Sequence, residues 1–317
     1  MRAAVLHEHG EPPRAGEFED PVEGDGHVVA EVAAAGLNHL DLLKASGGFY
    51  TGPPPLPSVV GSDGVARLAD GRRVFFDTTS APHGALAERT LVHEDHLLDV
   101  AEGAPDDVAA ALGNSGLAAW TALEWRARLD PGETVLVLGA TGAMGNVAVQ
   151  AAKQLGAGRV VAAARAGERL DRMRERGADE LVALDDADDL VTRLKDATGG
   201  GADVIVDPLW GEPAIAAMQA ATLNARHLQI GHMAAASVEL PAMTVRSVVL
   251  QVLGFVVFRV PLDVRRDAYT RLTELAARGE LEVDVERVPL EDVHDAWRRQ
   301  QSGPDAKLVV VPGARHH

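Results

Sequence analysis

The feature that most constrains the fold is a regular alternation in the middle of the chain. Short apolar runs and helix-length amphipathic segments follow one another from residue 134 to residue 231. The apolar runs are TVLVLG, RVVAAAR, ELVAL, ADVIVDPL and RHLQIG, in that order. Buried parallel strands must be covered on both faces of a sheet, and crossover helices supply that cover. The pattern therefore predicts an α/β fold with a doubly wound parallel sheet.

The segments on either side of this alternation have a different character. Residues 1 to about 105 carry short β-leaning runs separated by glycine and proline clusters such as TGPPPLPSVVG, which predicts an irregular β-rich domain. A helical segment begins near Asp106 and ends at the turn DPGE. After the alternation come two more helical stretches and a final strand, AKLVVVPG, which we expect to return to the first domain.

Composition and charge exclude several classes of protein. The chain has no cysteine, so a disulfide framework, a thiolate nucleophile and a thiolate zinc site are all ruled out. Its net charge of −17 disfavours nucleic acid and anionic membrane surfaces as partners. No run approaches the roughly 18 uninterrupted apolar residues of a membrane helix, and the N-terminus lacks the layout of a secretory signal. We therefore expect a cytoplasmic protein.

A glycine-rich loop, GATGAMGN, lies between the first run of the alternation and the helix that follows it. Small residues at this spacing permit a tight turn, let backbone N–H groups reach a pyrophosphate at the helix N-terminus, and allow close helix-to-strand packing. The loop therefore predicts a dinucleotide site, the alternative being a tight turn in another kind of α/β protein. The predicted contacts are Ala140, Thr141, Gly142, Ala143, Met144 and Gly145.

The end of the second apolar run indicates which dinucleotide is bound. An NAD-binding fold places a carboxylate there to accept hydrogen bonds from the ribose 2′-hydroxyl, whereas this chain has Ala164. Arg165 follows directly and Arg169 one helical turn later, and guanidinium groups suit a 2′-phosphate. The sequence thus predicts NADPH. The alternative is that both arginines are solvated or paired with Glu168 or Asp171.

Further motifs lie outside the alternation. In chain order with the glycine loop they read AAAGLNHLDLLKASGGFY, PPPLPSVVGSDGVA, HGALAERTLV, GATGAMGNVAVQAAKQLGA, GADVIVDPLWG, QIGH and AKLVVVPG. Together they resemble the zinc-independent quinone oxidoreductases of the medium-chain dehydrogenase/reductase superfamily, the group that includes zeta-crystallin. The resemblance implies a GroES-like catalytic domain formed by residues 1–115 and 256–317, and a Rossmann domain at 116–255. It also implies cofactor contacts at Gly231, His232 and Phe255.

The resemblance bears on metal binding. Zinc-dependent members of the superfamily have cysteine where this chain has Asn38, and histidine where it has Ser62. Neither residue offers a thiolate or an imidazole, so we predict that the protein holds no metal. His39 lies beside Asn38, but no second histidine stands at ligand spacing around it, and it is interpreted as a structural or substrate-facing residue.

The resemblance also implies catalytic residues. In zinc-free relatives the residues matching Asn38 and Tyr50 face the nicotinamide and the substrate. Asn38 is then expected to orient the nicotinamide or donate to a substrate carbonyl, and Tyr50 to donate a hydrogen bond or proton to the developing enolate. The alternatives are a strand-end amide and a packing aromatic. Asp41 matches a family acid near the site, or is only a structural partner.

One departure from the family pattern weakens the transfer of substrate preference. Where the family continues PxxGLTA, this chain reads GNSGLAAW, so Gly113 replaces the proline and Ala118 replaces a threonine close to the nicotinamide. Asn114 and Ser115 can supply the lost polarity.

Taken together, the sequence predicts an NADPH-dependent oxidoreductase. Its expected substrate is a small molecule, either a quinone or an α,β-unsaturated carbonyl compound reduced at its C=C bond. Reduction of a ketone or aldehyde ranks second, since the usual metal Lewis acid is missing. A protein that binds NADPH without turnover is the third interpretation. The resemblance implies a homodimer, for which the apolar segment SVVLQVLGFVVF is the candidate interface.

Overall fold

The computed structural model describes residues 1–50, 52–185 and 189–313. The described chain forms two compact units. One comprises Met1–Ser115 and the segment from Arg266 onward, and the other comprises Gly116–Arg265. The sequence predicted an earlier second boundary, after residue 255. The chain stays with the second unit there because the Phe255 N–H donates to the Gln229 carbonyl at 3.0 Å, continuing past the last strand of the sheet.

The secondary structure elements are named in chain order. The strands are β1 Arg2–Leu6, β2 Arg14–Glu17, β3 His27–Gly36, β4 Ser58–Val59, β5 Gly64–Arg67, β6 Arg73–Phe76, β7 Arg89–His93, β8 Leu97–Asp99, β9 Thr134–Leu138, β10 Arg159–Ala164, β11 Glu180–Ala183, β12 Ala202–Asp207, β13 Ala221–Gln229, β14 Gln251–Gly254, β15 Val285–Pro289 and β16 Lys307–Val311. The α-helices are α1 His39–Ala45, α2 Asp106–Ala111, α3 Asn114–Thr121, α4 Ala143–Gln154, α5 Glu168–Asp171, α6 Leu190–Thr198, α7 Gly211–Gln219, α8 Ala242–Ser247, α9 Leu262–Ala277 and α10 Val293–Ser302.

The unit formed by Gly116–Arg265 is built on a parallel sheet with strand order β11-β10-β9-β12-β13-β14. The predicted doubly wound sheet is confirmed, and its five predicted apolar runs are the strands β9 to β13. Apolar residues form them because both faces are covered, and Val135–Leu138 of β9 are fully buried. The strand order reverses between β9 and β12, which is where ligands bind in open α/β sheets.

The other unit is rich in β-structure, as predicted. A three-stranded sheet has the order β2-β1-β4, and a larger sheet has the order β15-β16-β3-β5-β6-β8, with β7 also paired to β3. Strand β16 runs antiparallel to β3, with Val309 opposite Gly36. This pairing brings the start of β16 to the end of β3, where the GLNHLD motif begins.

The helical segment predicted from Asp106 onward is not continuous, because α2 ends at Ala111 and α3 begins at Asn114. Gly113 lies at the break, where a Cβ atom would overlap Phe75 and the carboxylate of Asp63. The Asn114 N–H donates to Asp63 Oδ2 at 3.0 Å instead of continuing the preceding helix. The Gly113 N–H donates to the Ala110 carbonyl at 3.2 Å. Proline, which the family has at this position, lacks an N–H and could not make this hydrogen bond.

Among the residues that the structure describes, no helix combines the length and the apolar character that crossing a membrane requires.

Candidate functional site

The glycine loop joins β9 to α4, and two of its glycines have different roles. A Cβ atom on Gly145 would lie 2.8 Å from Ala140 Cα and closer still to the Gly139 carbonyl, so α4 approaches the loop only because this residue is glycine. Gly142 is exposed, and a Cβ atom there would meet nothing nearer than the Gly139 oxygen at 3.4 Å. The backbone surface at Gly142 is therefore open to a ligand.

Helix α4 begins directly behind this open surface. Gly142 is its N-cap, and the Asn146 N–H closes the first helical turn on the Gly142 carbonyl at 2.8 Å. The preceding N–H groups of an α-helix have no partner within the helix, and the helix dipole adds a partial positive charge. Thr141, Ala143 and Met144 are half-buried around this point. The arrangement suits an anionic group such as a pyrophosphate.

Ala140, also predicted to contact the cofactor, is fully buried. Its N–H donates to the Ala163 carbonyl of β10 at 3.1 Å, so it ties the loop to the neighbouring strand.

The two predicted phosphate-binding arginines lie beyond the end of β10. Arg169 donates from Nη2 to the Thr141 carbonyl at 2.6 Å, which ties the start of α5 to the glycine loop. Arg165 is exposed. The pKa of Asp185 is lowered mainly by the hydrogen bond that it accepts from the Ala166 N–H, with smaller contributions from the charges of Arg165 and Arg193. Guanidinium groups are therefore concentrated at this edge of the sheet.

A cavity of about 410 Å³ opens at the carboxyl ends of β12, β13 and β14. It is lined by Trp210, Gln229, His232, Ala236, Val252 and Gly254. The resemblance implied three cofactor contacts here, Gly231, His232 and Phe255. Of these, His232 lies in the lining of the cavity. Gly231 and Phe255 are not in the lining. A Cβ atom on Gly231 would come within 2.8 Å of the Pro208 carbonyl oxygen, and Phe255 is buried, with 6% of its surface exposed.

In the other unit, Asn38 lies at the centre of a buried polar network. It caps α1, and its N–H donates to Asp41 Oδ2 at 2.7 Å. Its side-chain Nδ2 donates to Asp63 Oδ1 at 2.5 Å and to the Gly36 carbonyl at 3.2 Å. Its Oδ1 accepts a hydrogen bond from Lys307 Nζ. The protein itself thus satisfies both ends of the Asn38 amide.

Asp41 and Ser62 extend this network toward Lys44. The Ser62 hydroxyl donates to Asp41 Oδ1 at 2.7 Å and accepts from Lys44 Nζ at 2.9 Å. Asp41 is 2% exposed, and its second oxygen receives the Asn38 N–H. The structure therefore gives Asp41 the contacts of a structural partner, one of the two roles that the sequence left open.

The network carries two buried carboxyl groups and a buried ammonium group. Burial raises the pKa of Asp63 to about 7, and the neighbouring charge of Asp41 adds to the effect, while Lys307 opposes it. Burial likewise raises the pKa of Asp41 and lowers the pKa of Lys307. Each charge is costly to bury alone, so these groups stabilise one another in place.

Tyr50 lies elsewhere, on the loop that follows α1. Its side chain is 63% exposed, and its ring packs against Phe49 with 4.1 Å between ring centroids. His39, on α1, lines a second cavity of about 310 Å³ with residues of α10, including Trp297 and Gln301. Ala118, which replaces the family threonine, is 7% exposed, while Asn114 and Ser115 are half-buried.

Sequence reasoning missed four side chains that the structure brings to these sites. Asp63 follows Ser62 in the GSDG motif, and Lys307 is a cation at the start of the apolar run KLVVV, so both carried a signal. Asp207 ends the apolar run ADVIVD, which also marks it as unusual. Its partner His227, fully buried on β13, has no local sequence feature that indicates such a role.

Comparison with known proteins agrees with this arrangement. Residues 143–278 match the zinc-binding dehydrogenase family. That match begins within the glycine loop and does not include Asn38 or Ser62, so its name does not bear on the metal positions.

Individual relatives cover more of the chain. A quinone oxidoreductase from Thermus thermophilus, solved alone and in complex with NADPH, is 32% identical, with a TM-score of 0.84 over 98% of this chain and 100% of that one. Mouse quinone oxidoreductase-like protein 2 is 30% identical over 242 residues, 73% of this chain and 67% of the relative. A phenolphthiocerol/phthiocerol polyketide synthase polypeptide from Mycobacterium tuberculosis is 29% identical over 311 residues, and the match covers 93% of this chain and 14% of that much longer protein. The chain belongs to the medium-chain dehydrogenase/reductase superfamily, in its zinc-independent quinone oxidoreductase branch.

Proposed function

We propose that the protein is an NADPH-dependent oxidoreductase that reduces a quinone, or the C=C bond of an α,β-unsaturated carbonyl compound, without a metal. The observation that carries the proposal is the open backbone at Gly142, in front of the N-terminus of α4 and at the strand-order reversal of a parallel sheet. A dinucleotide pyrophosphate fits a surface where small residues leave the N–H groups of a helix accessible.

Arginine favours NADPH over NADH at this site. Arg165 and Arg169 follow the strand end at Ala164, where an NAD-binding fold has a carboxylate. A guanidinium group can hold a 2′-phosphate through two parallel hydrogen bonds. The Thermus relative, similar along its whole length, was solved in complex with NADPH, which supports the same choice here.

The chemistry of the buried network favours an activated acceptor. Asn38 and Ser62 stand where zinc-dependent relatives have metal ligands, and both are engaged by protein partners. Neither offers a donor atom that zinc prefers. Without a Lewis acid on its oxygen, a substrate is easier to reduce when conjugation spreads the developing negative charge. A quinone or an enone meets this condition better than an isolated ketone.

Tyr50 is the side chain that we propose to stabilise the substrate oxygen. NADPH would supply the hydride. Both N–H bonds of the Asn38 side chain already point to Gly36 and Asp63, so Asn38 can donate to a substrate only by giving one of them up. Tyr50 is exposed, and its hydroxyl group can donate a hydrogen bond or a proton. Asn38 and Asp41 would then shape the site through the network that they share.

The test is anaerobic mixing of the protein with NADPH and a panel of quinones, enones and simple ketones, following the absorbance of reduced nicotinamide. We expect oxidation with quinones or enones and little with simple ketones. Faster turnover of isolated ketones would favour the carbonyl reductase alternative. Tight NADPH binding with no oxidation by any acceptor would favour a non-catalytic binding protein.

We also propose a homodimer through strand β14. This strand forms one of the two edges of the parallel sheet, and apolar side chains in and around it are exposed: Val249 by 57%, Val252 by 41% and Val256 by 43%. An apolar sheet edge favours pairing with a second copy of the chain. Light scattering should give twice 33.4 kDa for the wild type and a monomer for Val252→Lys. Leu223→Lys, at an exposed residue of β13, is the matched control and should remain a dimer.

A further inference from the structure

Asp207 and His227 form a fully buried pair at the carboxyl ends of β12 and β13. Both side chains are 0% exposed, and His227 Nε2 lies 2.9 Å from Asp207 Oδ2. The other carboxylate oxygen, Oδ1, accepts the N–H groups of Leu209 and Trp210, each at 2.8 Å. One carboxylate therefore links His227 to the loop of residues 208–211, here called the 208 loop.

The 208 loop has a backbone conformation that needs support. Trp210 has a φ of 59°, a region that residues with a Cβ atom rarely adopt, and Gly211 follows with a φ of 74°. The hydrogen bond from the Trp210 N–H to Asp207 holds the residue in this conformation. The indole ring also meets the His227 imidazole edge to face, with 6.1 Å between centroids.

The 208 loop contacts two parts of the proposed dinucleotide site. On one side it packs against the glycine loop, where a Cβ atom on Gly139 would lie 3.1 Å from Leu209 Cδ2. On the other side, the carbonyls of Pro208 and Leu209 accept the N–H groups of Met233 and Ala234 at 3.1 and 2.8 Å. Trp210 itself forms a wall of the cavity of about 410 Å³.

We infer that His227 and Asp207 are positioning residues for the bound dinucleotide. The pair fixes the 208 loop, and the loop sets the surface beside Gly139 and the place of the Trp210 ring. This inference rests on the NADPH site proposed above. His227 acts through its Nε2–H, because a carboxylate only accepts hydrogen bonds, and its Nδ1 has no hydrogen-bond partner among the described residues. Any side chain that places an N–H at the same reach should therefore replace it.

The test compares variants of one strand in the full chain. His227→Gln keeps an N–H at similar reach, whereas His227→Leu keeps the volume without a donor. Leu228→Ala is the matched control, because Leu228 is equally buried but points to the other face of the sheet. The NADPH dissociation constant is measured by titration, and the Trp210 emission is taken as the difference from Trp210→Phe. If His227→Leu does not fold, His227→Asn, which is too short to reach Asp207, takes its place.

We expect His227→Leu to raise the NADPH dissociation constant at least tenfold and to shift the Trp210 emission. His227→Gln should stay within about threefold of the wild type, and so should Leu228→Ala despite its lower stability. Wild-type affinity in His227→Leu, or equal loss in His227→Gln and His227→Leu, would overturn the inference. If the wild type does not bind NADPH, the proposed function fails, and the Trp210 emission alone then decides whether the pair positions the loop: an unchanged emission in His227→Leu would overturn that role.

Discussion

Alanine substitutions at two glycines of the same loop should affect different properties: Gly145→Ala the stability of the protein, and Gly142→Ala its binding of NADPH. In Gly145→Ala, the new Cβ atom lies 2.8 Å from Ala140 Cα and closer to the Gly139 carbonyl, and backbone atoms cannot swing away. Overpacking of this kind costs up to about 3 kcal/mol, and the better helix propensity of alanine returns about 1 kcal/mol. The net loss of about 2 kcal/mol should lower the Tm by about 4–8 °C, at about 2–4 °C per kcal/mol for a unit of this size.

Gly142→Ala should leave the stability nearly unchanged and weaken NADPH binding. Its φ of −76° suits alanine, and its nearest contact, the Gly139 oxygen, is at 3.4 Å. The loss of a glycine N-cap, about 1 kcal/mol, is largely offset by the stiffer unfolded chain, so the Tm should hardly change. The methyl group would occupy the open surface in front of α4, and the NADPH dissociation constant should rise at least tenfold, about 1.4 kcal/mol.

Calorimetry and NADPH titration measure both quantities on the same samples. Gly16→Ala is the matched control, since its Cβ atom would have no neighbour within 4 Å in β2 and should leave both values unchanged. The reasoning is refuted if Gly142→Ala binds NADPH as the wild type does, or if Gly145→Ala is as stable as the wild type.

Two further predictions concern charge. Arg165→Ala should raise the KM for NADPH about tenfold to a hundredfold and leave the KM for NADH nearly unchanged, because only the former carries a 2′-phosphate; equal effects on both cofactors would contradict the arginine assignment. The pKa of Asp63 is about 7 in the folded protein against an ordinary 3.8, so between these pH values the folded protein holds a proton that the unfolded chain releases. The contribution of Asp63 to the free energy of unfolding therefore decreases as the pH rises toward 7. The unfolding free energy of the wild type should accordingly fall relative to Asp63→Asn from pH 5 to pH 7 and level off above, and parallel curves would show that Asp63 is not perturbed.

The sequence predicted the parallel sheet because burial imposes a local pattern. Strands β9 to β13 are apolar runs between helices, and their periodicity needs no knowledge of distant residues. Strand β14 was harder to place: its run is as apolar as the others, yet Val252 is 41% exposed because the strand lies at the sheet edge. Composition alone does not distinguish an edge from a buried strand.

The details of the site depend on contacts between distant residues. Lys307 reaches Asn38 across 269 positions of sequence because β16 pairs with β3. The break at Gly113 depends on Asp63, which no helical pattern around residue 110 could reveal. His227 was invisible for the same reason, since its role comes from Asp207 on the neighbouring strand. Local sequence indicates which residues can do chemistry, and tertiary pairing decides which of them meet.

The most direct test of the proposed function is the position of a transferred deuterium. The protein is incubated with an α,β-unsaturated ketone and NADPH deuterated at C4 of the nicotinamide, and the product is analysed by mass spectrometry and NMR. We predict a saturated ketone with deuterium on the former β-carbon. Deuterium on the carbinol carbon of an allylic alcohol would contradict it, and so would an unlabelled and unchanged enone in a protein that also fails to oxidise NADPH with quinones.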